Sequence, residues 1–348
     1  MPSSHPLSAA ALFSLEGYVA VVTGGGTGVG LVIAQTLAAN GAKVYITGRR
    51  ADVLETSARI HGSPERLGPE GGSIVAIDMD VTSKDSIKSA VAKITQMEDF
   101  VNVLVNNAGI WGGRPTAQPE DGPEAFSEAM MAEDKESNWQ KSFDVNVTSQ
   151  YFVTAAFLPL LAKAVSGPTG KIGTVINNSS VAAFLRVTQN RQFSYNASKA
   201  ALTHLTRQMA YELSHEKINI RVNGLALGNY PAPFFPSMYP YSHVPNNSKR
   251  ELLRVGTSMI YNPNNVDSIG YFPSEMTTGP SNDENVSVAP PNEHFAKFME
   301  SLGTKIVKRM GTPEEIASVI LMLVTNEFIW GTTIIVDGGL VLTVPGNL

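Results

Sequence analysis

The chain is predicted to be an α/β protein, a parallel sheet covered by helices, and two observations carry that prediction. Short β-branched runs alternate with longer stretches of helical apolar period through the first half. A glycine-rich turn joins the first such run to the first such stretch, the junction a strand-to-helix unit needs. With 348 residues, 43% of them hydrophobic and 16% charged, the chain is long enough to bury a substantial core.

Residues 18–23 form the first predicted strand and 28–40 its helix. Residues 43–47, 73–78, 103–106, 173–178 and 219–225 are further strands, each brief, apolar and closed by turn residues, and 333–336 supply the last. Helical periodicity runs through 83–97, 138–164 and 195–214, with Pro159 expected to kink the middle helix. Two stretches break this rhythm. Residues 112–137, rich in Pro, Gly, Asp and Glu, are expected to be an inserted surface loop or short helix. Residues 229–300 are rich in Pro and Asn and interleaved with aromatics such as Phe234, Phe235, Tyr239 and Tyr241, which predicts a lid over a substrate. The whole of 1–348 is read as one domain carrying these two insertions.

Composition removes several function classes. A net charge of −5 with no basic run argues against a nucleic-acid partner. Zero cysteines exclude disulfides, thiolate catalysis and Cys-ligated zinc, and the six histidines lack metal spacing, so no metal is expected. The N-terminal apolar stretch has no Lys or Arg ahead of it and runs into Glu16, a poor signal peptide. No apolar run is expected to be long enough to cross a membrane. Sequons at Asn146, Asn177, Asn178 and Asn196 fall within the site argued below, where a glycan has no room, so a cytoplasmic location is expected.

Residues 23–30 read Thr-Gly-Gly-Gly-Thr-Gly-Val-Gly between a strand and a helix, the context of a dinucleotide site. Gly24 permits the sharp turn, Gly28 lets a diphosphate approach the backbone, and Gly30 lets helix pack on strand, while the helix N-terminus meets the phosphate charge. The second strand ends Tyr45-Ile46-Thr47-Gly48-Arg49-Arg50. No acid is present there to bind a free ribose hydroxyl, and Arg49 can fork onto a ribose phosphate, so NADP(H) is preferred over NAD. The plain alternative leaves both arginines solvated. Asp80 with Val81 could hold the adenine amino group, with Asp78 as a competing acid, and Asn106, Ala108 and Gly109 could line the adenosine ribose.

Tyr195 and Lys199, four apart in Tyr-Asn-Ala-Ser-Lys, place a phenol and an ammonium on one helical face. A free phenol titrates near ~10, and a neighbouring positive charge stabilises its phenolate, which equips the hydroxyl to exchange a proton with a carbinol. Taken alone, such a pair is an ordinary feature of exposed helices.

Six landmarks now stand in order: Thr-Gly-x-x-x-Gly-x-Gly, Asn-Asn-Ala-Gly at 106–109, an Asn in the long helix, a Ser after strand five, Tyr-x-x-x-Lys, and Asp337-Gly338-Gly339. From about residue 18 to 339 the chain resembles the short-chain dehydrogenase/reductase family, in particular its β-ketoacyl reductase-like members. The resemblance implies a Rossmann-type, doubly wound parallel sheet of seven strands with helices on both faces. It also implies a catalytic tetrad, here Asn146, Ser180, Tyr195 and Lys199. Ser180 would donate to the substrate oxygen and Tyr195 would deliver the proton. Lys199 would tune the tyrosine and hold the nicotinamide ribose, and Asn146 would anchor a water linking that lysine to solvent. Thr23, Val29 and the Tyr195–Lys199 pair join the expected cofactor contacts.

The chain departs from the family pattern in places. Ser180 and Tyr195 lie 195 − 180 = 15 positions apart, a wider spacing than usual, so a loop with Arg186, Gln189 and Arg191 is read as extended, and Ser179 stays a possible substitute. Ala226-Leu227-Gly228 replaces Pro-Gly and lacks the Thr that would meet the carboxamide, whereas Gly270 to Ser274 restores such a pattern. Residues 229–269 are therefore read as an insertion, with Ser274 in place of the lost Thr; an echo at Phe234 to Met238 keeps a second alignment open. Asn107 is expected to brace the sheet, Asp337 to form a turn and subunit contact, and His204 and His215 to be packing or surface residues.

The function expected from these readings is NADP(H)-dependent reduction of a ketone, or oxidation of the alcohol, on a bulky apolar, polyketide-like or acyl substrate. A net-neutral epimerase or dehydratase on the same site, and a non-catalytic NADP-sensing protein, are the alternatives; the intact tetrad argues against the second. A homodimer or homotetramer is expected, paired through the helices at 138–164 and 195–214.

Overall fold

The computed structural model describes residues 5–188, 191–228, 281–286 and 311–342. Seven parallel strands form one sheet in the order β3-β2-β1-β4-β5-β6-β7, where β1 is Val19–Thr23, β2 Lys43–Gly48, β3 Ser73–Asp78, β4 Val103–Asn106, β5 Thr174–Asn178, β6 Arg221–Leu227 and β7 Thr333–Val336. This is the Rossmann-type, doubly wound arrangement that the sequence predicts. Its central strands are buried on both faces, which is why they read as unbroken apolar runs and not as alternating ones.

Six helices cover the two faces. On one side α1 (Gly28–Ala39), α2 (Ala51–His61) and α6 (Pro313–Thr325) bury Ile33, Leu37, Leu54, Ile316 and Ile320 against the sheet. On the other α3 (Lys84–Thr95), α4 (Ser149–Ala162) and α5 (Phe193–Leu213) contribute Ile87, Ile94, Phe157, Leu160 and Met209. Strand order reverses direction beside β1, and the glycine turn sits at that switch point, where open α/β sheets hold their ligands.

The differences from the predicted elements have local causes. β6 starts two residues later than expected because Asn219 takes a left-handed turn with φ 51°. Helix α2 was not anticipated, and neither was α6. The latter carries a readable start signal: Thr312 and Glu315 form a reciprocal capping box around Pro313 at the first helical position. Residues 112–137 hold a single 3₁₀ turn, Pro119–Asp121, and the short helix Pro123–Met131. Helix α4 extends a continuous run Lys135–Ser166 that includes π-helical turns at Lys135–Gln140 and Asp144–Thr148, and Pro159 lies inside it without ending it.

That 32-residue run is apolar and long enough to cross a membrane by length and composition, which corrects the expectation that none is. Half of its most apolar stretch is buried inside the protein, where Val153, Phe157 and Leu160 pack on the sheet, so the core accounts for its composition.

Among the described residues Arg221 is the largest fully buried side chain, and it closes the C-terminal end of α6. Its Nη1 donates to the carbonyls of Leu323, Asn326 and Ile329 at 3.0, 3.1 and 3.2 Å, and its Nη2 to Val324 at 2.7 Å. Leu323 and Val324 are in the last turn of α6, whose carbonyls a helix end leaves without partners, and Asn326 and Ile329 follow it. Burial pulls its guanidinium pKa below the usual value, and the charge of Glu327 opposes that shift.

The expected lid at 229–300, with Ser274 and the 229–269 insertion, lies outside the described residues apart from 281–286, and so does Gln189.

Candidate active site

The glycine turn after β1 has the geometry that its sequence demands. Gly24 and Gly28 adopt φ 64° and 53°, the left-handed region that a side chain disfavours. A Cβ on Gly30 would stand 2.2 Å from the Gly24 carbonyl oxygen and 2.4 Å from Asn107 Nδ2, so only glycine lets α1 approach β1 this closely. Thr27 caps α1 without a side-chain hydrogen bond, leaving the backbone donors of the helix start for an anion.

In front of this turn runs a groove of about 510 Å³ along the C-terminal ends of the strands. Gly24, Gly28, Val29 and Gly30 lie at its middle, Arg49, Asp80 and Val81 at one end, and Ser180, Tyr195 and Lys199 at the other, with Ala108 and Gly109 along the wall. An elongated cradle with an anion-binding turn at its centre fits a dinucleotide.

At the Arg49 end, Asp80 is among the groove-lining residues and Asp78 is not. Asp80 Oδ1 accepts from Thr82 N at 2.9 Å and Thr82 Oγ1 at 2.7 Å, facing the groove. Burial works to raise its pKa, but the Thr82 bonds and the Arg49 charge outweigh it and hold the carboxyl below the usual range. Asp78 turns instead to Lys93 Nζ, 2.6 Å away. Arg49 is exposed at the groove edge.

Two predicted cofactor contacts point elsewhere. Thr23 is buried, and its Oγ1 accepts from the backbone N–H groups of Asn107 and Ala108, both at 3.0 Å, bracing β1 to the loop after β4. Asn106 donates into the sheet interior, to Thr154 Oγ1 and Asn177 Oδ1, both at 2.9 Å. Its amide hydrogens are used there, and at 1% exposure the side chain does not line the groove. Asn107 is the predicted brace: its Nδ2 holds the carbonyls of Thr23 and Gly24, and its Oδ1 accepts from Asn178 Nδ2.

At the other end α5 carries Tyr195 and Lys199 one turn apart, each only 3% exposed, with Lys199 Nζ 5.8 Å from the centre of the Tyr195 ring. Lys199 donates to the Asn178 carbonyl at 2.8 Å, and burial lowers its pKa from 10.5 to about 8. Ser180 is buried at the end of β5, and its Oγ accepts from Ala182 N at 3.2 Å, a bond that leaves its own proton to be donated. Ser179 also lines the groove, but its hydroxyl is engaged with α5, 3.1 Å from the Lys199 carbonyl and 2.7 Å from Thr203 Oγ1.

Asn146 sits in the second π-helical turn, fully buried. Its Oδ1 accepts from Ile110 N at 2.8 Å, and its Nδ2 donates to Ile110 O at 2.9 Å and Ser198 Oγ at 3.0 Å. Both amide hydrogens are used in holding the loop after β4 against α5, the helix that carries Tyr195 and Lys199. Gly109 lies between Asn146 and Lys199, where a Cβ would come 3.2 Å from Asn146 Oδ1 and 3.6 Å from Lys199 Nζ. His204 and His215 are exposed, and Asp337 accepts from Gly339 N and Val341 N, closing a turn as expected. Among the described residues no cluster could hold a metal ion.

Sequence reading missed Ile110, Val145 and Leu227, which line the groove beside Ser180 and Tyr195 and give that end its apolar walls, and Lys141 at its rim. No motif marks them, because they gain their position only from the packing of the loop after β4 against the long helix.

Comparison with known proteins agrees with this geometry. A family model described as short chain dehydrogenase matches residues 18–238. The chain is 42% identical over 228 residues to the short-chain dehydrogenase/reductase PhomF of Diaporthe leptostromiformis, covering 65% of this chain and 74% of that protein. It is 33% identical over 290 residues to the short-chain dehydrogenase/reductase VdtF of Byssochlamys spectabilis, covering 73% and 89%. To the rhamnolipids biosynthesis 3-oxoacyl-[acyl-carrier-protein] reductase of Pseudomonas aeruginosa it is 33% identical over 222 residues, covering 63% and 75%. Among solved structures, the Pseudomonas aeruginosa RhlG/NADP active-site complex superposes with a TM-score of 0.64 at 28% identity, over 97% of this chain and 99% of that one.

Proposed function

The chain belongs to the short-chain dehydrogenase family, and on that premise we propose that it reduces a ketone on a bulky, mostly apolar substrate with NADPH. One observation carries the reading. Ser180, Tyr195 and Lys199 converge at one end of a groove whose other end presents Arg49 and no acid from β2. The apolar walls of Ile110, Val145 and Leu227 favour an acyl or polyketide-like ketone, and the resemblance to a 3-oxoacyl reductase and to an NADP complex supports the same choice.

Arg49 would fork onto the ribose phosphate, the glycine turn and the α1 N-terminus would take the diphosphate, and Asp80 would face the adenine. The reduced nicotinamide, when bound, supplies the hydride. Ser180 donates a hydrogen bond to the carbonyl oxygen, keeping its proton, and stabilises the charge that gathers there. Tyr195 gives its phenolic proton to that oxygen, and Lys199 stabilises the phenolate left behind. Lys199 is held in place by the Asn178 carbonyl, and Asn146 holds the surrounding loop. Water is excluded from Tyr195 and Lys199 by their burial, which strengthens the charge interaction between them.

We assign the protein to homodimers or homotetramers in the cytoplasm. The exposed Tyr151 and Tyr211 on α4 and α5 support a contact through those helices. NADPH consumption against a panel of cyclic ketones, quinones and β-ketoacyl thioesters tests the proposed reaction. Turnover is expected with at least one ketone class, and NADPH binding without consumption across the panel would contradict it.

A further inference from the structure

Residues 281–286 belong to none of the sheet's covering helices, yet they are docked on the cofactor side of the fold. They form a tight turn in which Asn282 Oδ1 accepts from the backbone N–H groups of Glu284 and Val286, and Asn285 takes a left-handed φ of 61°. The turn is fastened to α2 and the segment after it. His61 Nε2 lies 2.7 Å from the Glu284 carbonyl, and Arg66 reaches both carboxylate oxygens of Glu284 at 3.1 Å. That ion pair is half exposed and contributes little by itself.

The informative contact is Asn285. Its Nδ2 donates to Ser57 Oγ at 2.9 Å and to the Val53 carbonyl at 3.1 Å. Ser57 is fully buried in α2, and its hydroxyl donates to the carbonyl of Gly26 at 2.7 Å. Gly26 is the third of three consecutive glycines in the turn that lines the middle of the groove.

A serine inside a helix has a competing partner, the carbonyl four residues back, and for Ser57 that carbonyl is Val53. Asn285 occupies that carbonyl and at the same time offers Ser57 an N–H to accept. Both effects aim the serine proton at Gly26. A run of three glycines loses more conformational entropy on ordering than any other triplet, so an outside hydrogen bond to its last carbonyl has an unusual share in holding the turn.

We propose that Asn285 is a positioning residue for the cofactor: acting through Ser57, it holds the diphosphate turn in its binding conformation and thereby raises dinucleotide affinity. This rests on the reading of the groove as a nicotinamide dinucleotide site. The residue touches neither cofactor nor substrate, and its effect is confined to binding.

The test uses Asn285→Gly, which removes the amide while accepting the left-handed backbone, together with Ser57→Ala and the double variant. NADPH affinity is measured by fluorescence titration, turnover at saturating NADPH by absorbance, and stability by thermal melting. Asn285→Gly is expected to weaken NADPH binding about three- to tenfold, the scale of one or two neutral hydrogen bonds, with kcat unchanged. The double variant is expected to bind no more weakly than Ser57→Ala alone, since Asn285 acts through that hydroxyl. Parental affinity in Asn285→Gly, or additive losses in the double variant, would overturn the proposal while leaving the dinucleotide site standing. A parent protein that binds neither NADPH nor NADH would overturn the dinucleotide reading and this proposal with it.

Discussion

Lys199 gives its ammonium to the main-chain carbonyl of Asn178, 2.8 Å away, while the Asn178 side-chain amide bonds Asn107, which in turn holds the carbonyls of Thr23 and Gly24. Lys199 and the glycine turn therefore share one part-buried chain of hydrogen bonds that crosses three strand ends.

Burial of Lys199 is expected to place an upper pH limit on ketone reduction. Lys199 is lowered from 10.5 to about 8, so in the free enzyme its ammonium is lost as pH rises through about 8. The kcat/KM for ketone reduction, which reports the free enzyme, is expected to fall above that pH, and Lys199→Met is expected to remove this limb along with most activity. The stability effect has the opposite sign. Between about 8 and 10.5 the unfolded chain binds more protons than the folded one, so this residue's contribution to stability rises with pH across that window and is lost as pH falls to about 8. A flat kcat/KM profile from pH 7 to 10 would contradict the assignment.

Arg49 stands exposed at the groove edge beside Asp80, with no acid at the end of β2. NADPH is expected to bind more tightly than NADH, and Arg49→Ala to erase most of that preference while changing NADH affinity little. The measurement is fluorescence titration of both cofactors with parent and variant. Equal affinities in the parent would remove Arg49 as the selecting residue.

Arg221 has the largest expected effect on stability. Arg221→Leu removes the donor of the Leu323, Val324, Asn326 and Ile329 carbonyls, of which Ile329 keeps Asn223 Nδ2, and each buried acceptor left without a partner costs roughly 1–3 kcal/mol. Arg221→Lys offers a single ammonium in place of a planar fork and is expected to recover only part of this. Urea unfolding checks both, and a loss below about 1 kcal/mol in Arg221→Leu would show that water or backbone shifts satisfy those carbonyls.

How much of this was legible in the sequence depends on whether a residue acts through a local pattern or through distant partners. The strand-turn-helix at 19–39 and the Tyr195–Lys199 pair are local, and the structure places their side chains or backbone at the groove. Thr23 and Asn106 lie in the same motifs but turn inward, because alternate residues of a strand face opposite sides and motif membership does not say which. The Thr312–Glu315 capping box was readable and was overlooked. Arg221 and Asn285 could not be read, since their partners lie about a hundred and about two hundred and thirty positions away along the chain.

The central claim is that Tyr195 delivers the proton in an NADPH-dependent ketone reduction, and single-turnover NADPH consumption by Tyr195→Phe tests it most directly. With a ketone that the parent enzyme reduces, the variant is expected to bind NADPH with parental affinity and to consume it at least ~10²-fold more slowly, the scale of a positioned general acid. Consumption at the parental rate would contradict the account.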